Sequence, residues 1–147
     1  MMKHRILAML LAVALACTLL PGVALAVDPN APIEYEVPGG KILLDKSSGE
    51  ITGCSGSPTN VIIPVAIEGI QVKKIADAAF AQKASLKSMI LPEGITIGEK
   101  AFAQCTGLEY VIILGENGVN KIQKGTFANC NSLSRFIGHV DIIETDA

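Results

Sequence analysis

The side chains that could carry catalytic or metal chemistry are few and far apart. Beyond residue 26 the chain has one histidine, His139, and three cysteines, Cys54, Cys105 and Cys130. A Ser-His-Asp or Cys-His centre needs a histidine held beside a nucleophile, and a zinc site needs ligands clustered at short spacing. The sequence has neither pattern. We therefore expect that the protein is not an enzyme and that it binds no metal and no cofactor. An enzyme of unrecognised type is the least favoured alternative.

The elements that would position these residues come from a repeated unit. Three copies occur, and their isoleucine, phenylalanine and leucine positions are offset by 22 and then by 25 residues. A unit of this length cannot bury its own apolar face, so the copies must stack as a solenoid. We expect the Ala-Phe phrase, which reads Thr-Phe in the third copy, to form a short helical turn whose phenylalanine fills the core. The copies are Lys74–Leu86, Glu99–Leu108 with Ile97 before it, and Ile122–Leu133.

Short strands are predicted between the copies. Runs of β-branched and other apolar residues recur at 61–64, 89–92, 111–114 and 136–139. One such run per layer, always followed by a crossover, predicts a parallel sheet. Upstream, residues 41–53 contain two strand-like segments around a turn-forming Lys-Ser-Ser-Gly cluster, which predicts a β-hairpin.

Two of the cysteines share one position in consecutive copies. Cys105 and Cys130 each lie three residues before a leucine of the repeat. We interpret both as small buried apolar side chains. A disulfide between them is the alternative, although side chains in register on parallel layers rarely meet with the required geometry.

The residues that point outward from the predicted sheet are unusually apolar. By strand alternation, Met89 and Leu91 face the core, whereas Ser88 and Ile90 face outward. An exposed apolar strip edged by tyrosine and arginine is typical of an interaction surface. The alternatives are that stacked isoleucines only stabilise the sheet, or that a neighbouring segment covers them. The predicted protein-binding residues are Ile62, Ile90, Ile112 and Ile137, with Tyr110 and Arg135 beside them.

The second copy and the strand before it resemble a known family phrase. That phrase is a strand ending in an aliphatic residue and proline, an Ile-Gly pair, Ala-Phe, a cysteine and a leucine. The chain thereby resembles the BspA-like leucine-rich repeats of bacterial surface proteins. The resemblance covers residues 41–139 and implies an adhesin or binding surface, since no residue of the phrase carries chemistry. The matching positions are Leu91-Pro92, Ile97-Gly98, Ala101-Phe102, Cys105 and Leu108.

The expected fold is an α/β repeat: a short right-handed leucine-rich-repeat solenoid with a parallel sheet on its concave face and an N-terminal β-hairpin cap. The expected divisions are a signal peptide (1–26), an N-terminal lead (27–40), the capping hairpin (41–60), the repeats (61–139) and an acidic C-terminal tail (140–147). The expected function is that of a secreted or cell-surface protein-binding module of adhesin type. A structural or self-associating spacer without a specific ligand is the alternative.

Residues 1–26 have the pattern of a secretory signal peptide. A positive start with Lys3 and Arg5 precedes an apolar run, and Ala24-Leu25-Ala26 forms a small-residue cleavage site. We therefore expect cleavage near Ala26 and export to the cell surface or medium. Lipid attachment at Cys17 is a minor alternative, because Leu15-Ala16-Cys17 loosely matches a lipidation motif.

Charge restricts the class of partner. Removing Lys3 and Arg5 from the 12 basic residues leaves 10 against 14 acidic ones, a net charge of −4. This mildly acidic composition argues against nucleic acid, and no apolar run beyond residue 26 is long enough to span a bilayer. The expected partner is a protein ligand of a host or bacterial surface.

The C-terminal end is expected to be poorly closed. Asp141, Glu144 and Asp146 could form a charged cap, but Ile142 and Ile143 between them are apolar. Solenoids need a polar terminal unit, since an open end leaves core residues and strand edges in water. We expect either self-association through this end or a frayed last layer.

Overall fold

The strands of this protein stack in layers along one axis, as the repeat predicts. The structure, a computed structural model, describes residues 28–144 and 146. The predicted signal peptide and Cys17 lie outside the described residues. The described part forms a β-solenoid of about four turns, built from thirteen short strands and no helix. The predicted α/β class is therefore not confirmed.

The strands are short because each layer contributes only a few residues to each sheet. Their bounds are β1 Ile33–Val37, β2 Gly40–Asp45, β3 Glu50–Gly56, β4 Asn60–Ile62, β5 Ala66–Ile67, β6 Ile70–Gln71, β7 Lys74–Ile75, β8 Ser88–Leu91, β9 Thr96–Ile97, β10 Tyr110–Ile113, β11 Val119–Ile122, β12 Arg135–Ile137 and β13 Val140–Ile143.

One sheet consists of four parallel strands in the order β12-β10-β8-β4. The prediction of a parallel sheet with one strand per layer is thus confirmed. Val61, Met89 and Val111 lie side by side in this register and are fully buried. Alternate residues of β4, β8 and β10 therefore form the core.

A second sheet, in the order β1-β2-β3-β7-β9, joins the N-terminal segment to the repeats. Strands β2 and β3 form an antiparallel hairpin with a bulge between Leu43 and Leu44, and β3 then pairs in parallel with β7. Strand β1, which the sequence did not predict, lies antiparallel to β2. At the other end, β11 and β13 form a separate parallel pair.

The Ala-Phe phrases form turns instead of the predicted helical turns, and the backbone shows why. Each copy has two residues with left-handed φ values between 54° and 66°. A left-handed residue interrupts a right-handed helix. The amide of each of these residues except Asn129 is also hydrogen-bonded to a carbonyl of the following layer, at 2.7–3.3 Å. Stacking between layers has therefore replaced helix formation. The pairs are Ala78 and Gln82, Lys100 and Gln104, and Gly125 and Asn129.

The phenylalanines of the three copies form a continuous column. The ring centroids of Phe80 and Phe102 are 5.5 Å apart, and those of Phe102 and Phe127 are 5.6 Å apart, both stacked. Phe80 and Phe102 are fully buried, whereas Phe127 is partly exposed. The prediction of a phenylalanine core is therefore confirmed.

The three cysteines in the described residues, Cys54, Cys105 and Cys130, are free thiols. Cys105 is buried and its Sγ donates to the Phe80 carbonyl at 3.0 Å; Cys130 is half-buried and its Sγ donates to the Phe102 carbonyl at the same distance. The prediction of buried thiols is confirmed for Cys105 and only in part for Cys130. Burial raises the pKa of Cys105 to about 11, so this thiol is a poor nucleophile at neutral pH.

Candidate binding face on the parallel sheet

The four predicted isoleucines lie next to one another across the parallel sheet. The Cα register pairs Ile62 with Ile90, Ile90 with Ile112, and Ile112 with Ile137. In β4, β8 and β10 the residues beside the isoleucines are core residues, and Phe136 beside Ile137 is in register with the core residue Val111, so all four isoleucines lie on the opposite face. We call this row of four the isoleucine ladder.

None of the isoleucine ladder is buried. Ile62 is 59% exposed in the edge strand β4, and Ile137 is exposed in the other edge strand, β12. Ile90 and Ile112 are half-buried, because each has a ladder residue on both sides. Within the part of the chain that the structure describes, no segment buries the ladder. The ladder is therefore a continuous apolar strip open to solvent.

A second row, with more polar residues, runs beside the ladder. It contains Asn60, Ser88, Tyr110 and Arg135 in register. Arg135 is exposed and Tyr110 is half-buried, so both can contact a ligand that lies on the ladder.

Ser88, which is predicted to face outward, is nevertheless buried. The residue is only 4% exposed, and its Oγ is 2.8 Å from Asn60 Oδ1 in a hydrogen bond. Asn60 and Tyr110 flank Ser88 in the register and leave little space for water around so small a side chain. Strand alternation predicts the face of a residue, but its neighbours decide how much of it is exposed.

The structure adds one apolar residue to this face that the sequence analysis did not include. Leu114 follows Ile113 and is exposed, and its amide donates to the Leu91 carbonyl at 2.8 Å, which continues the strand pairing. It therefore lies on the same face as Ile112, two residues earlier. Its signal in the sequence was a leucine at the position where the runs 61–64 and 89–92 end in proline.

The potentially catalytic side chains do not form a site. His139 is exposed, as expected, and its Nε2 is 3.0 Å from Asp141 Oδ1. Within residues 28–144 and residue 146, no three His, Cys, Asp or Glu side chains are grouped so that they could hold a metal ion.

An open cleft of about 400 Å³ lies at the hairpin, and Asp45, Ser47 and Thr52 are among its lining residues. Asp45 Oδ1 accepts hydrogen bonds of 2.7 Å from both the hydroxyl and the amide of Ser47. These hydrogen bonds lower the pKa of Asp45. The carboxylate therefore stabilises the hairpin turn.

Comparison with protein families identifies the repeat. Residues 55–146 match the BspA type leucine rich repeat region, in six copies. The chain belongs to this family. No curated protein matches it. The described residues contain no helix, and therefore none that could cross a membrane.

Two solved structures of bacterial leucine-rich repeat proteins are similar to it. One is the T. pallidum protein TpLRR, with 30% identity and a TM-score of 0.57, covering 70% of this chain and 50% of that one. The other is a leucine rich cell surface protein from Faecalibacterium prausnitzii A2-165, with 29% identity and a TM-score of 0.58. That match covers 77% of this chain and 33% of the other. The chain thus spans half or less of the length of these relatives.

Proposed function

We propose that this chain is a secreted or cell-surface protein-binding module of adhesin type, and that its ligand lies on the isoleucine ladder. The observation that carries the proposal is the continuous row of four isoleucines with no described segment covering it. A protein ligand is favoured because exposed apolar strips of this kind mark interaction surfaces.

The surroundings of the ladder also fit a protein interface. Tyr110 and Arg135 stand in the adjacent row, and tyrosine and arginine are enriched where proteins bind one another. Leu114 widens the apolar strip on the side away from them. A ligand would therefore find an apolar centre with a polar and cationic border, as in many specific interfaces.

Location at the cell surface rests on two observations outside the ladder. The first 26 residues have the signal-peptide pattern, and one structural relative is described as a cell surface protein. The predicted export of this chain supports a ligand on a host or bacterial surface.

A structural, self-associating role is the second candidate. It is favoured by the C-terminal end, where Phe136, Ile142 and Ile143 are exposed.

Binding can be tested with a ladder variant and a matched control. Host matrix proteins and a surface extract of the producing organism are passed over the immobilised protein, and captured proteins are identified by mass spectrometry and then titrated in solution. Ile62→Asp with Ile112→Asp should weaken binding of the identified ligand at least about tenfold, since each change places a charge where the proposed contact is apolar. Ile142→Asp is the control, because Ile142 is 57% exposed, close to the 59% of Ile62, but lies outside the ladder.

Unchanged affinity in the ladder variant, with a native circular dichroism spectrum, would refute the role of the ladder. Failure of every extract to yield a protein that binds in solution would favour the structural role instead.

A further inference from the structure

The isoleucine ladder is part of a strip that is narrow along the strands and long across them. The polar row that contains Tyr110 and Arg135 lies two residues before the ladder and ends the apolar surface on that side. On the other side one further apolar row follows the ladder by two residues, and it contains Pro64, Pro92 and Leu114. A ligand segment that follows the apolar surface must therefore run across the strands.

The backbone of the sheet offers nothing to such a segment. Strands β8 and β10 each have a strand partner on both sides, and parallel pairing uses their N–H and C=O groups within the sheet. A segment on the ladder has to satisfy its own backbone groups when the contact removes water from them. A helix does so within itself, whereas a single extended strand does not. A sheet of the partner also does so, but its face is several strands wide and would desolvate Arg135 as well as the ladder.

The spacing of the ladder distinguishes a helix from a strand. Adjacent strands lie about 4.8 Å apart, so the four isoleucines span about 14 Å. A helix repeats its apolar stripe at every turn of about 5.4 Å, and three turns cover about 16 Å. A strand repeats each face about every 6.7 Å, and three such steps cover about 20 Å. The accumulated mismatch is about 2 Å for the helix, which side chains can absorb, and about 6 Å for the strand.

Arg135 determines the chemistry of one flank of this helix. It is exposed and takes part in none of the ion pairs formed by the described residues. The other members of its row are uncharged, and Lys87 and Glu109, just before β8 and β10, are exposed charges of opposite sign. Arg135 therefore supplies the excess positive charge of this border. Its guanidinium group presents donors in a planar fork that fits a carboxylate.

A helix on the ladder is wide enough to meet Arg135. The polar row lies about 6.7 Å from the ladder, and a helix with its side chains is about 10 Å wide. A side chain on one flank of the helix therefore reaches Arg135, while a side chain on the other flank reaches Leu114, which is exposed.

We propose that the partner occupies the isoleucine ladder with an amphipathic α-helix of about three turns, which lies across the strands and contacts Arg135 through an acidic side chain. Its apolar residues recur at helical spacing, i, i+3 or i+4, i+7 and i+11. This inference rests on the proposed function, because it specifies which part of a protein ligand the ladder receives.

Two phage-displayed peptide libraries test the proposal without knowledge of the natural ligand. One has apolar residues at helical spacing and the other has them alternating as in a strand, with equal length and composition. Both are selected on the immobilised protein, produced from the full sequence. Phage that also bind the variant with Ile62→Asp and Ile112→Asp, checked for a native circular dichroism spectrum, are removed. The remaining binders, which depend on the ladder, should come mainly from the helical library.

A selected peptide is then synthesised and titrated in solution. Its circular dichroism should show a gain of helix on binding. Proline at its centre should weaken binding at least about tenfold, because proline breaks a helix.

A charge exchange tests the contact with Arg135. Arg135→Glu should weaken binding of the selected peptide at least about tenfold, and replacing the acidic residue of the peptide with lysine should restore it. Lys73→Glu is the matched control, because Lys73 is an exposed basic residue between β6 and β7, outside the parallel sheet; it should leave binding unchanged. Selected peptides without an acidic residue, or equal effects of the two variants, would overturn the acidic contact.

Ladder-dependent binders that come mainly from the alternating library, or that bind without gaining helix, would overturn the helix and leave the proposed function standing. Absence of ladder-dependent binders from both libraries would overturn the whole inference. The capture of proteins from surface extracts tests the proposed function independently of either result.

Discussion

Replacing Phe102 with alanine should remove the central support of the solenoid. Its ring is fully buried and stacks on Phe80 at 5.5 Å and on Phe127 at 5.6 Å. Emptying a packed phenylalanine site costs about 3–5 kcal/mol, and the loss of two aromatic contacts places this case at the upper end. Because neighbouring layers depend on one another, we expect Phe102→Ala to lower the free energy of unfolding by about 4–5 kcal/mol.

Phe136→Ala is the matched control. Phe136 has one aromatic contact, edge-on to Phe127, and is already exposed. We expect it to cost about 1–2 kcal/mol, since less apolar surface is lost from a partly buried side chain. Urea unfolding followed by circular dichroism measures both, because the chain has no tryptophan.

Equal losses in the two variants would refute the reasoning. That result would mean that the position in the stack does not decide the contribution of a phenylalanine. A loss below about 2 kcal/mol for Phe102→Ala would likewise show that the layers collapse into the space left by the ring.

Two further predictions concern the turns and the buried thiol. Lys100 and Gly125 take the same left-handed turn position in consecutive copies, with φ of 54° and 66°. Gly125→Ala should therefore lower the free energy of unfolding by about 1 kcal/mol, whereas Lys100→Gly should raise it by up to about 1 kcal/mol. Urea unfolding measures both, and a lower free energy of unfolding in Lys100→Gly would contradict the argument. Burial raises the pKa of Cys105 from 9.0 to about 11, so the thiol loses its proton at lower pH in the unfolded chain than in the folded one. The stability contributed by the neutral thiol is therefore fully present below pH 9 and should fall as pH rises towards 11. Between pH 8 and 11, the free energy of unfolding measured with urea should decline less in Cys105→Ala than in the unchanged protein, and an identical decline would contradict this.

Much of the layer arrangement was predictable from the sequence because it depends on local spacing. The shared offsets of the isoleucine, phenylalanine and leucine positions predicted the column of Phe80, Phe102 and Phe127. The repeated strand runs predicted the register of the isoleucine ladder, and strand alternation predicted its face. Both predictions are confirmed by the ring distances and the strand pairing. Binding by the ladder stays a prediction.

The helical turns were wrong for a reason that the local sequence does not contain. Alanine-rich phrases favour helix, but the amides of Ala78 and Lys100 bond to the next layer, and this requires left-handed φ values. Strands β1 and β13 were missed although both are rich in residues that favour strands: Ile33, Tyr35 and Val37 alternate with glutamates in β1, and β13 has the sequence Val-Asp-Ile-Ile.

By itself, the sequence determined that this protein is a stack of repeats, which residues form its core and which isoleucines share a face. These properties follow from periodicity, because each side chain's direction is set by its place in the repeat. Only the tertiary structure decided how far each residue is exposed, as for Ser88 and Ile143. Exposure depends on what the neighbouring layer places over a side chain, and at the C-terminal end the described residues place nothing over Ile143.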